Sequence, residues 1–187
     1  MIEVEKKFRP TEEQLKCLLL DSEFIKEVVN HDIIYDYPDY RWIKESIRLR
    51  SRNGKFELKI SEGEENNLAG AASLEIENEE EIKKHLKINS SLADFVRENL
   101  IEAINIKTTR KKYKNDDFVI DVDELDFGYN CVEIELLVND NSKVSEAYER
   151  IINLAKSYSF DLTDVPPKRK EYFRVVKPLV YKMLYQK

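Results

Sequence analysis

The sequence predicts an α+β fold in which helices flank a largely antiparallel β-sheet. Seven short segments alternate apolar and charged residues with a period of two, which is typical of strands buried on one face only. The dipeptide Asn53-Gly54 lies between two of these segments and predicts a tight hairpin turn. Three longer segments, at about 79–100, 142–157 and 168–185, instead space their apolar residues as helices do. At 187 residues the chain predicts one domain that spans residues 1–187.

The chain begins with a predicted strand and a predicted helix. Alternation over residues 2–8 places Glu3, Glu5 and Lys7 on one face of the strand. The run Thr11-Glu12-Glu13-Gln14 has the form of a capping box, and leucines follow it at helical spacing. Three charged side chains therefore line one face of the first strand, and a helix follows that strand.

The predicted hairpin is rich in basic residues. Its first strand carries Arg48, Arg50 and Arg52 at every second position, and its return strand, at 56–60, carries Lys59. These cations share one face of the hairpin because side chains at even spacing point to the same side of a strand.

A segment without any period follows the hairpin. Residues 61–72 predict a mobile loop. A short strand is predicted at 73–77, with Glu75 and Glu77 on one face, and the helical pattern over 79–100 is expected to cover one side of the sheet.

Three further strands are predicted in the second half of the chain, at 106–113, 118–122 and 132–136, with a turn at 126–129 between the last two. Their charged faces carry Arg110, Lys112, Asp121, Asp123, Glu133 and Glu135. A helix and a final basic helical segment complete the chain. The basic segment could be a membrane-surface or RNA-binding helix, but we expect it to pack its apolar side on the rest of the fold, and we expect no membrane partner. Charges of both signs therefore belong to the strands of the sheet and not to its loops.

The composition excludes several classes of function. The chain has 31 Lys and Arg against 37 Asp and Glu, a net charge of -6, so we expect no broad binding to DNA. Its four scattered glycines form neither a dinucleotide-binding turn nor a P-loop. Two cysteines and two histidines are too few for a disulfide scaffold or a convincing zinc site, which favours a reducing cytoplasmic setting. No apolar stretch is long enough to span a membrane or serve as a signal peptide.

The alternating charges leave two interpretations open. One is an antiparallel sheet whose polar face is solvated. The other is a closed barrel whose polar interior holds a polyanion and its divalent cations. The pattern alone does not choose between them.

The N-terminal run Glu3-Val4-Glu5-Lys6-Lys7 matches the ExExK signature of the CYTH, or triphosphate tunnel metalloenzyme, superfamily. Later motifs follow in the order that this family uses: Ile47-Arg48-Leu49-Arg50, Phe56-Glu57-Leu58-Lys59, Thr109-Arg110, Asp121-Val122-Asp123, Asp126-Phe127-Gly128-Tyr129, Val132-Glu133-Ile134-Glu135 and Pro166-Pro167-Lys168. Among members of the family, the chain most resembles thiamine triphosphatases, in the DFGY turn and in the PxK entry to the last helix. The resemblance covers residues 2 to about 172.

The resemblance implies an eight-stranded antiparallel β-barrel with flanking helices, whose interior forms a triphosphate tunnel. Arginine forks and lysine charges suit phosphate oxygens, and carboxylates suit Mg²⁺ or Mn²⁺, the cofactor that the resemblance implies. The matching substrate-binding positions are Lys7, Arg48, Arg50, Lys59, Arg110 and Lys168. The matching metal ligands are Glu3, Glu5, Asp121, Glu133 and Glu135, with Asp123 and Glu77 as further candidates.

By the same resemblance, we expect a metal-dependent triphosphatase. A metal-bound or carboxylate-oriented water would attack the terminal phosphorus, and the basic side chains would stabilise the charge that develops. The catalytic roles are assigned to Glu5, Arg50, Lys59 and Glu135.

Two positions depart from the thiamine triphosphatase pattern. Ser46 replaces a tryptophan, and Ile34 replaces the first tyrosine of a YYD motif, so Trp42 or Tyr40 would have to offer a stacking face. Thiamine triphosphate and inorganic tripolyphosphate rank first as substrates, followed by RNA 5′ ends and by ATP, which class IV adenylate cyclases convert to a cyclic product. A noncatalytic polyphosphate-binding module is the alternative from another class. We expect a monomer.

Overall fold

The computed structural model describes residues 2–61 and 73–186. Its strands are β1 (Ile2–Phe8), β2 (Glu23–Asp36), β3 (Ile47–Arg52), β4 (Lys55–Ser61), β5 (Ser73–Ile76), β6 (Ile101–Asn115), β7 (Phe118–Leu125) and β8 (Asn130–Val138). Its helices are α1 (Glu12–Leu20), α2 (Arg41–Lys44), α3 (Glu79–Leu86), α4 (Leu92–Asn99), α5 (Val144–Ser157), α6 (Lys168–Val176) and α7 (Pro178–Tyr185). The loop predicted for 61–72 lies, apart from Ser61, outside the described residues.

All eight strands belong to one antiparallel sheet. Their order is β1-β8-β7-β6-β2-β3-β4-β5, so the first strand of the chain pairs with the last. Each pairing that the described register defines is antiparallel. The predicted α+β class and its eight antiparallel strands are therefore confirmed.

The described chain divides into two compact units. The first consists of residues 2–29 and 108–171, and the second of residues 30–61, 73–107 and 172–186. Strands β2 and β6 contribute residues to both. The expectation of a single domain over the whole chain stays a prediction.

In the first unit, α5 covers the apolar face of β1, β7 and β8. The centre of this core consists of Val4, Phe8, Leu18, Ile120, Ile134, Leu136 and Ile151, all nearly or fully buried. Because side chains alternate along a strand, the charged residues between these core positions lie on the opposite face of the same strands.

In the second unit, α3 and α4 pack on the apolar face of β3, β4 and β5. This core contains Trp42, Leu49, Leu58, Ile76, Ile82, Leu92 and Val96. The same alternation leaves the basic residues of β3 and β4 on the other face of the hairpin.

Two local signals in the sequence form as predicted. Thr11 caps α1: its hydroxyl accepts from the Gln14 amide at 3.3 Å, and Gln14 Oε1 accepts from the Thr11 amide at 2.8 Å. Asn53 and Gly54 have φ angles of 50° and 87°, as a two-residue hairpin turn with positive φ at both positions requires. The turn fixes the register of β3 against β4.

The strand β2 was not predicted from the sequence. Its run of Val, Ile and Tyr side chains between Val28 and Tyr35 favours a strand, but its burial does not alternate cleanly and its first five residues are exposed. This missing strand brings Asp32 next to the arginines of β3.

The helical predictions were right in type and wrong in continuity. The pattern over 79–100 divides into α3 and α4, because Lys87 adopts a left-handed conformation and Ser91 starts a new helix as its N-cap. The last segment divides at Lys177, since Pro178 disfavours helical geometry in the residue before it. Among the described helices, none combines the length and apolarity needed to cross a membrane.

Candidate functional site

The charged face of the first unit brings together side chains from four neighbouring strands, β1, β8, β7 and β6. The register sets Glu5 opposite Glu135 and Lys7 opposite Glu133. On the other side of β8, Asp121 pairs with Glu133. Acids and bases that are far apart in sequence therefore meet on one face, which we call the acidic cluster.

Arg110 links three carboxylates of the acidic cluster. Its Nε and Nη2 donate to the two oxygens of Asp123, both at 2.7 Å, and Nη2 also donates to Glu133 at 2.6 Å. Nη1 forms an ion pair with Asp121. Burial alone would lower the pKa of Arg110, but these partners raise it, so the guanidinium stays charged.

Besides Lys112, which lies 2.8 Å from Asp121, two lysines supply positive charge beside Glu133. Lys168, the first residue of α6, lies 2.8 Å from Glu133 and forms a hydrogen bond with Asp123. Lys7 donates to Glu5 at 2.6 Å and lies 3.2 Å from Glu133. Burial opposes a rise in the pKa of both lysines, and the neighbouring carboxylates outweigh it.

Glu133 and Glu135 lie two residues apart on one strand in opposite electrostatic settings. Burial would raise the pKa of Glu133, but the charges of Lys7, Lys168 and Arg110 hold it far below its ordinary range. The pKa of Glu135 is raised to about 8, first by burial and then by the negative charges around it. The negative charge of Glu133 is therefore compensated by cations, whereas the negative charge that Glu135 would carry when ionised is compensated only in part.

Two sets of carboxylates near Glu135 are close enough to hold a cation. Oxygens of Glu3, Glu5 and Glu135 lie within 4.8 Å of one another, and so do oxygens of Asp121, Glu133 and Glu135. Both sets offer hard oxygen donors, which Mg²⁺ and Mn²⁺ prefer. The residues present thus fit a divalent cation, and a cation there would supply the positive charge that Glu135 lacks.

Cys131 joins the acidic cluster, although the sequence did not single it out. Its sulfur lies within 4.8 Å of oxygens of Asp123 and Glu133, and all three residues are buried. Burial raises the pKa of the thiol to about 12, so it is protonated. The two-residue spacing of Cys131 from Glu133 was the signal that could have placed it on this face.

The second unit has a cluster of its own, which we call the arginine cluster. Arg48 pairs with Lys59 across the hairpin, Arg50 with Glu57, and Lys59 with Glu75 on β5. A pocket on this face is lined by Arg48, Arg50, Glu57, Leu58, Lys59, Glu75, Ile76 and Glu77. Its charged lining contains three cations and three anions, so the cations are largely neutralised by acids within the cluster.

The contacts within the arginine cluster are short. Arg50 donates to Glu57 from Nε at 3.0 Å, and Lys59 lies 2.6 Å from Glu75. Arg52 forms a fork with Asp32 at 2.7 and 2.8 Å. Burial opposes a lower pKa in Asp32, yet the hydrogen bonds from Arg52 hold it below the ordinary value.

Asp32 and Glu57 were both missed as site residues. Glu57 alternates with Lys59 on a predicted strand, so its position could have been inferred. Asp32 could not, because the strand that carries it was not predicted.

The aromatic residues that could have offered a stacking face are buried in the second unit. Trp42 is 8% exposed and packs between Tyr37 and Phe95, while Tyr40 packs edge-on against Phe173. They are core residues and present no free aromatic face.

The predicted site residues thus fall into two groups. The acidic cluster contains Glu3, Glu5, Lys7, Arg110, Asp121, Asp123, Glu133, Glu135 and Lys168. The arginine cluster contains Arg48, Arg50, Lys59 and Glu77. Each group is brought together within its own unit.

Comparisons with known proteins point to one family. A model of the CYTH domain matches residues 1–165. Among solved structures, a putative adenylate cyclase from Vibrio parahaemolyticus is 19% identical, with 93% of this chain and 98% of that chain covered and a TM-score of 0.64. A protein from Pyrococcus horikoshii is 23% identical, with coverage of 85% and 91% and a TM-score of 0.61.

A third solved structure comes from a plant. It is a putative adenylyl cyclase from Hippeastrum with a dominant triphosphatase activity, 15% identical, with coverage of 92% and 94% and a TM-score of 0.58. At these identities the structural similarity shows the fold alone.

Proposed function

We propose that this chain, which belongs to the CYTH domain family, hydrolyses the terminal phosphate of a triphosphate with the help of a divalent cation. An enzyme that hydrolyses a triphosphate with a divalent cation needs basic side chains to bind the phosphate oxygens and carboxylates to bind the cation. Both kinds of group are present on the charged faces of the described strands.

The observation that carries the proposal is the contrast between Glu133 and Glu135. Three cations hold Glu133 ionised, and the pKa of Glu135 is raised to about 8 beside further acids. A fold that only needed a stable polar face would gain nothing from uncompensated buried carboxylates, because each costs free energy when it ionises. The arrangement supports a site that a divalent cation completes.

We assign the metal to Glu3, Glu5, Glu135 and Asp121. Glu133 and Asp123 are further candidate ligands, and both pair with basic residues beside them. The cation would be Mg²⁺ or Mn²⁺, and it would neutralise phosphate charge and lower the pKa of a bound water. Glu77, which lines the pocket of the arginine cluster, is kept as a further candidate ligand.

The basic residues would bind the substrate. Arg48, Arg50 and Lys59 are already neutralised in part by acids, so phosphate oxygens would replace carboxylate oxygens as their partners. In the acidic cluster, Lys7, Arg110 and Lys168 play the same role, and Glu5 is oriented by its hydrogen bond from Lys7. Positioning and electrostatic stabilisation would supply most of the catalysis, as is general for phosphoryl transfer.

The choice of substrate rests on the arginine cluster. Its pocket is lined mainly by charged side chains, and the nearby Trp42 and Tyr40 are buried. Nothing among the described pocket residues supplies an aromatic face for an organic group. Inorganic tripolyphosphate is therefore the preferred substrate, ahead of thiamine triphosphate, RNA 5′ ends and ATP.

The test is phosphate release from tripolyphosphate, thiamine triphosphate and ATP, each with Mg²⁺, Mn²⁺ or EDTA. Glu5→Gln removes one acid of the proposed metal set without changing its shape. Glu124→Gln is the matched control, since Glu124 is exposed on β7 beside the buried acids. We expect metal-dependent release that Glu5→Gln reduces by about 10² or more and Glu124→Gln leaves intact.

Other outcomes assign a different function. A cyclic nucleotide formed from ATP would indicate a cyclase. Binding of tripolyphosphate without any phosphate release, under either metal, would indicate the noncatalytic module.

A further inference from the structure

The C-terminal segment of the second unit presents an apolar surface that the proposed reaction does not use. Val175, Val176, Leu179 and Met183 are 47%, 45%, 79% and 53% exposed, respectively. We call these four residues the C-terminal patch. They lie within nine consecutive residues, at the end of α6 and along α7.

Residues at both ends of α7 contact the rest of the second unit. Lys177 donates to the main-chain oxygens of Glu102 at 3.0 Å and Ala103 at 2.8 Å. The ring of Tyr185 lies 6.5 Å from the ring of the fully buried Phe173. Both contacts are made by residues that lie outside the patch, so they leave the four apolar side chains exposed.

Within the segment that carries the patch, the charged residues all have one sign, and Glu102 on β6 is an acid outside the segment that interacts electrostatically with Lys177. From Tyr172 to the last residue the sequence contains four basic residues and no acid, in a chain whose net charge is -6. Lys177 is turned toward the carbonyls of β6, whereas Arg174 and Lys182 are exposed beside the patch. Apolar side chains flanked by cations complement a lipid bilayer with anionic headgroups, because the apolar acyl chains lie beneath a negatively charged headgroup layer.

A second apolar surface on the first unit provides a contrast. Leu20, Phe24, Ile25 and Val29 are also exposed, by 75%, 53%, 49% and 59%. The residues between them include Asp21, Glu23 and Glu27 against the single cation Lys26. The two surfaces expose similar apolar side chains and differ in the sign of their charge.

In contrast to the expectation from the sequence, we propose that the C-terminal patch docks the protein onto an anionic phospholipid surface. Leu179 and Met183 would enter the boundary between headgroups and acyl chains, and Arg174 and Lys182 would lie beside lipid phosphates. A second copy of this chain is a poorer occupant, because a symmetric pair of patches would bring like charges together. The proposal is independent of the triphosphatase proposal, since it uses other residues.

Flotation of the full chain with lipid vesicles tests the proposal without any substrate. One set of vesicles is phosphatidylcholine alone, and the other contains about one third phosphatidylglycerol. We expect association with the anionic vesicles only, weakening as the ionic strength rises from about 0.05 M to about 0.5 M. The double variant Leu179→Gln/Met183→Gln should weaken it by about tenfold or more.

Leu20→Gln is the matched control, because Leu20 is as exposed as Leu179 but lies on the acidic surface. It should bind anionic vesicles as the unchanged protein does. Circular dichroism of each variant checks that these exposed substitutions leave the fold intact.

Four results would overturn the proposal. These are no association with anionic vesicles, equal association with both kinds of vesicle, equal weakening by the Leu20 and the Leu179/Met183 substitutions, and self-association in sedimentation that the double variant abolishes. The last result would assign the patch to a second copy of the chain.

Discussion

Replacing Glu135 by glutamine should make the protein more stable in mildly alkaline solution when no metal is bound. The pKa of Glu135 is raised from 4.5 to about 8 by burial and by Asp121, Glu3 and Glu133. A carboxyl with a raised pKa binds its proton more tightly in the folded protein than in the unfolded chain. Its ionisation therefore lowers stability as the pH rises from about 4.5 toward about 8.

The size of the effect follows from the shift. Each pKa unit corresponds to about 1.4 kcal/mol. Between about pH 6 and about pH 8, the unchanged protein should lose about 2 kcal/mol of its free energy of unfolding relative to Glu135→Gln, because the loss per pH unit falls off as the pH approaches the pKa of folded Glu135. For a chain of this size, that difference corresponds to roughly 4 to 8 °C in melting temperature.

The assay is urea unfolding of both proteins at several pH values in EDTA. Comparing the two proteins at each pH cancels the titration of groups that they share. A stability difference that stays constant from about pH 6 to about pH 8 would refute the assignment of the raised pKa to Glu135. Adding Mn²⁺ at the higher pH should stabilise the unchanged protein and leave the variant nearly unaffected.

Three further predictions concern other parts of the two clusters and their support. Arg50→Ala should lower kcat for phosphate release from tripolyphosphate by roughly 10² to 10³, because it removes a guanidinium that would bind the phosphate oxygens. Substitution of the exposed Arg97 by alanine should leave kcat unchanged, and a loss of only a few-fold in Arg50→Ala would contradict the prediction. Lys168→Met should lower kcat/KM by about tenfold or more, because it removes a cation that would bind the substrate. Lys156→Met, on the exposed side of α5, is the control, and equal losses of kcat/KM in the two variants would rule out a direct role of Lys168. Asp36→Ala should destabilise the fold by about 2 to 4 kcal/mol, because fully buried Asp36 accepts hydrogen bonds from the amides of Tyr37, Trp42 and Ile43; a change below about 1 kcal/mol in urea unfolding would show that solvent replaces these bonds.

Local patterns were sufficient for most of the elements. Alternation identified seven strands, since each has one buried and one charged face, and Asn53-Gly54 located the hairpin because few other pairs tolerate two positive φ angles. β2 was not predicted, because its apolar and polar residues do not alternate regularly and its pattern of burial is irregular. The ends of α3 and α6 were not predicted, because a single residue, Lys87 or Pro178, interrupts a periodic apolar pattern there.

Much of the candidate site was also accessible from the sequence, because a strand with charges at every second position fixes which side chains share a face. Glu3, Glu5 and Lys7 lie together on β1 for that reason alone. The match of ordered motifs to one family added the expected chemistry, and the family model over residues 1–165 confirms the family. Cys131 and Glu57 were missed because nothing local distinguishes a site residue from any other residue on the same face, and Asp32 was missed because β2 was not predicted.

The sequence determines that Glu133 and Glu135 lie on the same face of one strand, since they are two residues apart. It does not determine that they titrate in opposite directions. That difference arises from register: β8 places Glu133 among Lys7, Lys168 and Arg110, and Glu135 opposite Glu5. Electrostatic interactions depend on distances between strands that are far apart in the chain, so only the tertiary structure decides which carboxylate is compensated by cations and which one is not.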